Sequence, residues 1–220
     1  MTYQIGNVLD VLPTLAAGRF RTCVTSPPYW GLRDYGVDGQ IGLEPTLDAY
    51  LGTMVDVCRG VWRVLKPEGT FWLNIGDSYS TGTSAPRNPS KSAQHGYWEK
   101  PHGDVRHHDR AYAAKQLLMV PNRLAIRLQE DGWYVRSEII WHKPNPMPES
   151  VTDRPTGAHE KVWLLSKNER YFYDQEAVLQ PASANTHARL AQVGSARANG
   201  GAKTNGNMKA GGRKMAAEGQ

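Results

Sequence analysis

The chain has 220 residues, 40% of them hydrophobic, which is enough for one sizeable core and predicts a single globular domain. Its two cysteines, Cys23 and Cys58, exclude a disulfide framework and offer no metal-ligand spacing. A reducing, cytoplasmic compartment fits this composition best. The N-terminal sequence lacks the pattern of a signal peptide, and no segment has the length of a membrane span.

The net charge of +5 is concentrated at one end of the chain. Of the 26 basic and 21 acidic residues, six bases and one acid lie in residues 183–220, which leaves 20 of each for the rest. The body is therefore neutral and the tail is basic. Since residues 1–182 have no net charge, binding of nucleic acid by this part of the chain has to be inferred from where individual charged residues lie, not from the net charge.

The first predicted strand is Phe20–Thr25. Apolar and polar residues alternate along it, and β-branched residues are enriched toward its end. The sequence TSPPYW (25–30) completes it, and the glycine- and aspartate-rich residues 31–45 predict a loop. A helix is expected next, because apolar residues recur at three- and four-residue steps from Leu47 to Leu65.

Thr46 is the predicted N-cap of this helix, and Pro67 and Gly69 are expected to end it. The short apolar run TFWLNI (70–75) predicts the next strand. Residues 79–112 are polar and show no period, which is typical of a functional or disordered stretch. Its histidines have no cysteine nearby and no tight spacing, so we expect no metal site among His95, His102, His107 and His108.

The second half of the chain repeats the alternation of helix and strand. A helix is predicted from about Pro121 to Gly132, and strands at residues 133–142, 161–166 and 170–174. This alternation predicts an α/β sheet with parallel pairs. From residue 183 the sequence is rich in Ala, Gly, Asn and Lys, so we expect a domain at 1–182 and a linker or disordered tail at 183–220.

The segment Ser26-Pro27-Pro28 has a distinctive chemistry at the end of a strand. Proline lacks an N–H and restricts the residue before it to extended conformations, so the backbone presents carbonyl oxygens with few competing donors. Tyr29 and Trp30 add flat apolar faces beside them. This combination suits a planar ring with an exocyclic amino group, although a rigid turn with both aromatics packed in the core is the alternative.

The chain resembles the amino-methylating DNA methyltransferases, which modify cytosine N4 or adenine N6. The resemblance covers roughly residues 3–180 and rests on three segments in the same order: TSPPYW (25–30), RVLKPEGTFWLNIGDSY (63–79) and IIWHKPNPMPESVTDRP (139–155) continuing to HEKVWLLSKNERYFYD (159–174). It implies a Rossmann-like S-adenosylmethionine-dependent methyltransferase sheet, S-adenosylmethionine as cofactor, double-stranded DNA as substrate and a role in restriction-modification.

By this resemblance the catalytic motif is Ser26, Pro27, Pro28 and Tyr29. The target base is flipped out and stacks on Tyr29, while the Ser26 side chain and the Ser26 and Pro27 carbonyls accept hydrogen bonds from its amino group. Cytosine C5 methylation would need a cysteine nucleophile, and both cysteines fall at core positions. Serine before Pro-Pro-Tyr favours cytosine N4, but a hydroxyl could serve either amine, so adenine N6 stays open.

Further residues are assigned by the same resemblance. Asn7 stands where the family usually has an aspartate that contacts the cofactor, and Asp77 ends a strand near the same crevice. Each of the two could instead cap a turn. Four residues are expected to contact DNA, three of which could equally lie in a solvated loop: Trp30, Lys143, Asn145 and Arg154.

The family's glycine-rich Phe-x-Gly-x-Gly segment, which binds S-adenosylmethionine, is expected after residue 180, and no such segment is found in this sequence. The sheet is accordingly expected to be incomplete at its C-terminus. Three explanations remain open: a fragment, a second chain that completes the cofactor site, or a non-catalytic DNA-binding module.

Overall fold

The structure is a computed structural model that describes residues 3–81 and 111–179. The chain divides into two compact units, Met1–Tyr173 and Asp174–Gln220. In the second unit the described part contains one short 3-10 helix, Glu176–Val178. The predicted boundary at residue 182, the basic tail and the four histidines of the polar insert all lie outside the described residues.

The described residues of the first unit form a four-stranded sheet with the order β1-β2-β4-β3. The strands are β1 (Phe20–Thr25), β2 (Leu65–Ile75), β3 (Tyr134–His142) and β4 (His159–Ser166). Strands β1 and β2 are parallel, whereas β4 runs antiparallel to both β2 and β3. The expected α/β sheet is therefore present, but parallel pairing holds for β1–β2 alone among the described strands.

In the part of the chain that the structure describes, three α-helices accompany the sheet: α1 (Val8–Thr14), α2 (Leu47–Val64) and α3 (Val120–Glu130). The predicted cap of α2 is confirmed, because the Thr46 hydroxyl accepts a hydrogen bond from the Ala49 N–H at 3.1 Å. None of the described helices combines the length and the apolarity that a membrane crossing requires.

The core lies between α2, α3 and one face of the sheet. Strand residues two apart share a face, and Phe71, Leu73 and Ile75 on β2 are all fully buried against the helices. Helix α2 contributes Tyr50, Met54 and Cys58, and α3 contributes Leu124 and Leu128. The opposite face of the sheet carries Asn74, which lies between Leu73 and Ile75 on β2.

Two sequence predictions need correction. Strand β2 begins at Leu65, so Pro67 and Gly69 lie within the strand and do not end α2. The pairing shifts between Phe20↔Leu65 and Thr22↔Thr70, and β2 accommodates Pro67 in the bulge, where no ladder N–H is needed.

Residues 170–174, predicted as a strand from their aromatic alternation, form no strand. Phe172 donates one backbone hydrogen bond to the Glu68 carbonyl at 3.0 Å, but no ladder continues from it. The Phe172 side chain is 66% exposed. The alternation predicted a strand wrongly because a strand also needs a neighbour along its whole length.

Candidate functional site

The segment Ser26–Tyr29 leaves the sheet directly after β1, at the carboxyl end of the parallel pair. Open α/β sheets bind ligands at this edge. The turn is held from the core side, because the buried Tyr50 hydroxyl of α2 donates a hydrogen bond to the Pro28 carbonyl at 2.9 Å. Helix packing thus fixes the backbone on which Ser26 and Tyr29 are mounted.

The Tyr29 hydroxyl lies at the centre of a polar cluster. The Ser26 hydroxyl donates to the Tyr29 oxygen at 3.2 Å and lies 3.4 Å from Asn74 Oδ1. Tyr29 in turn donates to Asn74 Oδ1, and Glu160 Oε2 is a second acceptor at 3.2 Å. Three chain segments distant in sequence therefore converge on one phenol.

Asn74 and Glu160 come from neighbouring strands. Asn74 pairs with Val162 across β2 and β4, and Glu160 is two residues from Val162, so both side chains project from the same face. Asn74 is buried, and its Nδ2 makes no hydrogen bond of normal geometry to the described residues, although it is close enough to Glu160 to help lower the pKa of that carboxyl.

An ion pair completes the cluster, since the Lys143 ammonium contacts Glu160 Oε1. Partial burial by itself would raise the pKa of Glu160. The hydrogen bond and the charge of Lys143 outweigh this effect, so that the pKa is lowered, and Tyr29 and Asn74 make smaller contributions in the same direction. Burial is the main cause of the raised pKa of Tyr29, which the Glu160 charge raises further while the Ser26 hydrogen bond opposes it. At neutral pH the cluster therefore holds a carboxylate and a protonated phenol.

The Tyr29 ring rests against the backbone of Gly76, directly after β2. A Cβ atom at position 76 would lie 2.6 Å from Tyr29 Cε2 and 2.8 Å from Cδ2. Real Cβ atoms do not approach carbon this closely. Glycine at position 76 is therefore a requirement of the observed ring position.

Trp30 does not occupy the place expected for a DNA contact. Its side chain is 4% exposed, its indole N–H donates to the Glu44 carbonyl at 2.9 Å, and its ring stacks on Tyr50 with centroids 6.5 Å apart. The alternative of an aromatic packed in the core is thus correct for Trp30, whereas Tyr29 is half-buried beside the exposed Ser26. A residue enclosed in this way has no surface to offer to DNA.

The two residues expected near the cofactor both act as caps in the structure. The Asn7 Oδ1 accepts from the Leu9 N–H at 3.0 Å and so caps α1. The Asp77 Oδ1 accepts from the N–H of Val120, the first residue of α3, at 2.9 Å. Helix α3 has no cap from its own N-cap residue, so Asp77 supplies one from across the fold.

The remaining predicted DNA contacts lie in the proline-rich connection between β3 and β4. Lys143 is paired with Glu160 as described, and Asn145 is exposed. Arg154 forms an ion pair with Glu149 and lies 3.7 Å from the centroid of the Tyr79 ring. The structure therefore brings only Lys143 of these three to the Tyr29 cluster.

Neither cysteine has the properties of a nucleophile. Cys58 is fully buried in α2, and Cys23 is half-buried in β1. Burial raises the pKa of both thiols above their ordinary value. Since the thiolate is the reactive form, both residues serve as core side chains. Within the described residues, no group of three or more His, Cys, Asp or Glu side chains could hold a metal ion.

Sequence reasoning missed three residues of the site: Asn74, Gly76 and Glu160. Asn74 is a polar residue near the end of the apolar strand TFWLNI, and Glu160 is an acid just before the apolar run VWLL. Both patterns can be recognised in the sequence, but neither indicates on which face of the sheet the side chain lies or which side chains it would contact there.

Comparisons with known proteins identify the family of this chain. A family model described as DNA methylase, for the N6/N4 methyltransferases, matches residues 20–208. The type II methyltransferase M.Cfr9I of Citrobacter freundii is 49% identical over 177 residues, which are 79% of this chain and 56% of that protein. The chain thus spans little more than half the length of this relative.

Solved structures show the same fold at lower identity. The PvuII DNA methyltransferase (cytosine-N4-specific) superimposes with a TM-score of 0.54 at 19% identity, over 81% of this chain and 54% of that one. A Thermus thermophilus protein complexed with S-adenosyl-L-methionine superimposes with a TM-score of 0.50 at 22% identity, over 78% of this chain and 56% of that one. The Rossmann-like methyltransferase sheet is confirmed, and this chain belongs to the N6/N4 family of DNA methylases.

Proposed function

We propose that this chain carries the catalytic and target-recognition region of a site-specific DNA methyltransferase. The reaction transfers a methyl group to the exocyclic amino group of a flipped base, with cytosine N4 favoured and adenine N6 as the alternative. The observation that carries the proposal is the fixed Tyr29 phenol beside the exposed Ser26, at the edge of the sheet where ligands bind.

The chemistry assigned to these residues is positioning and polarisation. The flipped base stacks on the Tyr29 ring. The Ser26 oxygen and the Ser26 and Pro27 carbonyls accept hydrogen bonds from the amino group, which draws lone-pair density out of the ring and directs it toward the methyl donor. Pro28 contributes rigidity, because its carbonyl is held by Tyr50.

S-adenosylmethionine supplies the methyl group when it is bound. The described residues fit it only in part, since the candidate side chains Asn7 and Asp77 both act as caps. We therefore propose that a C-terminal continuation or a second polypeptide completes the cofactor site. The share of M.Cfr9I that this chain covers, 56%, supports this view.

The family supports DNA as the substrate, because the family model that matches residues 20–208 is described as DNA methylase. A role in restriction-modification is part of the same proposal. The preference for cytosine N4 rests on Ser26 in the motif. Asn145 and Arg154 are proposed contacts to the phosphates of double-stranded DNA.

The test is methyl transfer to DNA by the protein together with any segment or chain that completes it. Tyr29→Ala should reduce the rate at least about 100-fold, because the stacking platform is lost. Tyr134→Ala is the matched control, since Tyr134 is 44% exposed and begins β3 at the end remote from the site. Full methylation by Tyr29→Ala would contradict the proposal, and digestion of the DNA distinguishes N4-methylcytosine from N6-methyladenine.

A further inference from the structure

Glu160 is the only described carboxylate with a hydrogen bond to the Tyr29 hydroxyl. It lies at the second position of β4, opposite Trp141 on β3 and on the same face of the sheet as Asn74. The Tyr29 phenol therefore has acceptors on two adjacent strands, one neutral and one charged. A half-buried ring whose oxygen is held at two points has little freedom to tilt away from this position.

The carboxylate is itself held in place. Among residues 3–81 and 111–179, the charged and titratable groups that face it are Lys143, from the segment after β3, and Tyr29, from the turn after β1. The backbone of Lys143 is fixed as well, because its N–H donates to the Ala158 carbonyl at 2.8 Å. Other titratable residues at the neighbouring ladder positions alternate to the opposite face: His142, His159, Lys161 and Glu138.

We propose that Glu160 is a positioning residue for Tyr29, and that Lys143 acts through Glu160 to keep the carboxylate fixed. The inference rests on the proposed function, because Tyr29 matters for catalysis only if the base stacks on it. In this arrangement the ion pair fixes the direction of the phenol O–H and with it the plane of the ring. The Lys143 side chain then serves the catalytic turn, which is a different role from a phosphate contact.

The kinetic test uses Glu160→Gln, which keeps the shape of the side chain and removes its charge. We expect kcat to fall by about tenfold to a hundredfold, as for a catalytic group displaced by up to about 1 Å, with KM for DNA little changed. Glu138→Gln is the matched control, because Glu138 is also a sheet carboxylate paired with a lysine, Lys161, at 2.8 Å. In a Tyr29→Phe background, Glu160→Gln should have little further effect, since the hydroxyl on which it acts is gone.

The pH profile separates positioning from a general structural role. Glu160 must be ionised, so kcat should fall as the pH drops through the pKa of its carboxyl. Lys143→Met removes the cation that lowers this pKa, so the acid limb of the profile should move to higher pH. An unchanged kcat in Glu160→Gln, or a full additional loss in the Tyr29→Phe background, would overturn the inference.

An NMR titration that does not require methyl transfer tests the inference independently of the proposed function. The Glu160 carboxyl is titrated by NMR in the isotopically labelled 220-residue chain, where its pKa should lie below the ordinary value of 4.5 and rise in both Lys143→Met and Tyr29→Phe. A Glu160 that titrates at its ordinary pKa in all three proteins would overturn the inference. If the 220-residue chain shows these shifts but the protein together with the segment or chain that completes its cofactor site transfers no methyl group, the proposed function is refuted and the Lys143–Glu160–Tyr29 linkage still stands.

Discussion

Replacing Gly76 by alanine tests the site with a single methyl group. The added Cβ would lie 2.6 Å from Tyr29 Cε2, whereas ordinary van der Waals contact begins at 3.4 Å. The ring must therefore move by at least about 0.8 Å, or the backbone after β2 must move instead. We expect the Tyr29 ring to move more easily than the backbone, because the ring is only half-buried. This movement would separate the Tyr29 hydroxyl from Asn74 and Glu160.

The expected cost falls on catalysis and not on folding. A displacement of about 1 Å at a reacting group lowers rates by roughly 100-fold, so kcat for methyl transfer should drop by about that factor. Stability should change by no more than about 1 kcal/mol, since Gly76 follows the strand and lies outside any helix or strand interior. The measurements are single-turnover methyl transfer from a radiolabelled donor and urea unfolding followed by circular dichroism.

Gly52→Ala provides the matched control. Gly52 lies within α2, and an added Cβ there would meet no atom within 4 Å. Alanine should stabilise that helix by up to about 1 kcal/mol and leave methyl transfer unchanged. Wild-type kcat in Gly76→Ala would refute the reasoning, because it would mean that the ring position seen here does not matter for the reaction.

Three further outcomes are expected. Tyr50→Phe removes the hydrogen bond to the Pro28 carbonyl and should lower the free energy of unfolding by about 1 kcal/mol in urea titrations; no change would show that this bond does not hold the turn. Asp77→Ala removes the acceptor for the Val120 N–H and should cost about 1 kcal/mol by the same assay, whereas Asp77→Asn should retain most of the cap. If a further segment or chain completes the cofactor site, as we propose, calorimetric titration of the 220-residue chain with S-adenosylmethionine should show weak or no binding, because an incomplete pocket would leave much of the cofactor solvated; micromolar affinity would contradict this.

The elements with strong local signals were predictable from the sequence. Strand β1 has the predicted bounds, and α2 begins where the Thr46 cap and the apolar period indicate. Local sequence decides such elements because their hydrogen bonds close within a few residues. The start of β2 was missed since residues 65–69 become a strand only by pairing with β1, and Pro67 and Gly69 carry the opposite local signal.

The candidate site follows the same division. The proposed catalytic motif is contiguous, so Ser26 to Tyr29 could be singled out from the sequence. Their partners Asn74 and Glu160 lie 45 and 131 residues from Tyr29, and only the sheet order brings them together. Tyr29 and Trp30 are adjacent and chemically alike, yet one enters the site and the other the core, because the turn after Pro28 directs Trp30 toward Tyr50.

The protonation states of the described residues bear on the type of reaction. Burial and the Glu160 charge raise the pKa of Tyr29, so the phenol stays protonated and acts as a donor and a surface, not as a base. Burial likewise raises the pKa of Cys23 and Cys58 and keeps both as thiols, which removes the nucleophile that a covalent route through the base would need. Glu160 is ionised, but its charge is matched by Lys143 and directed at the Tyr29 oxygen. In the reaction that we propose, no activated protein nucleophile is present among these groups, so the amino nitrogen of the base is the attacking atom and methyl transfer is direct and guided by position.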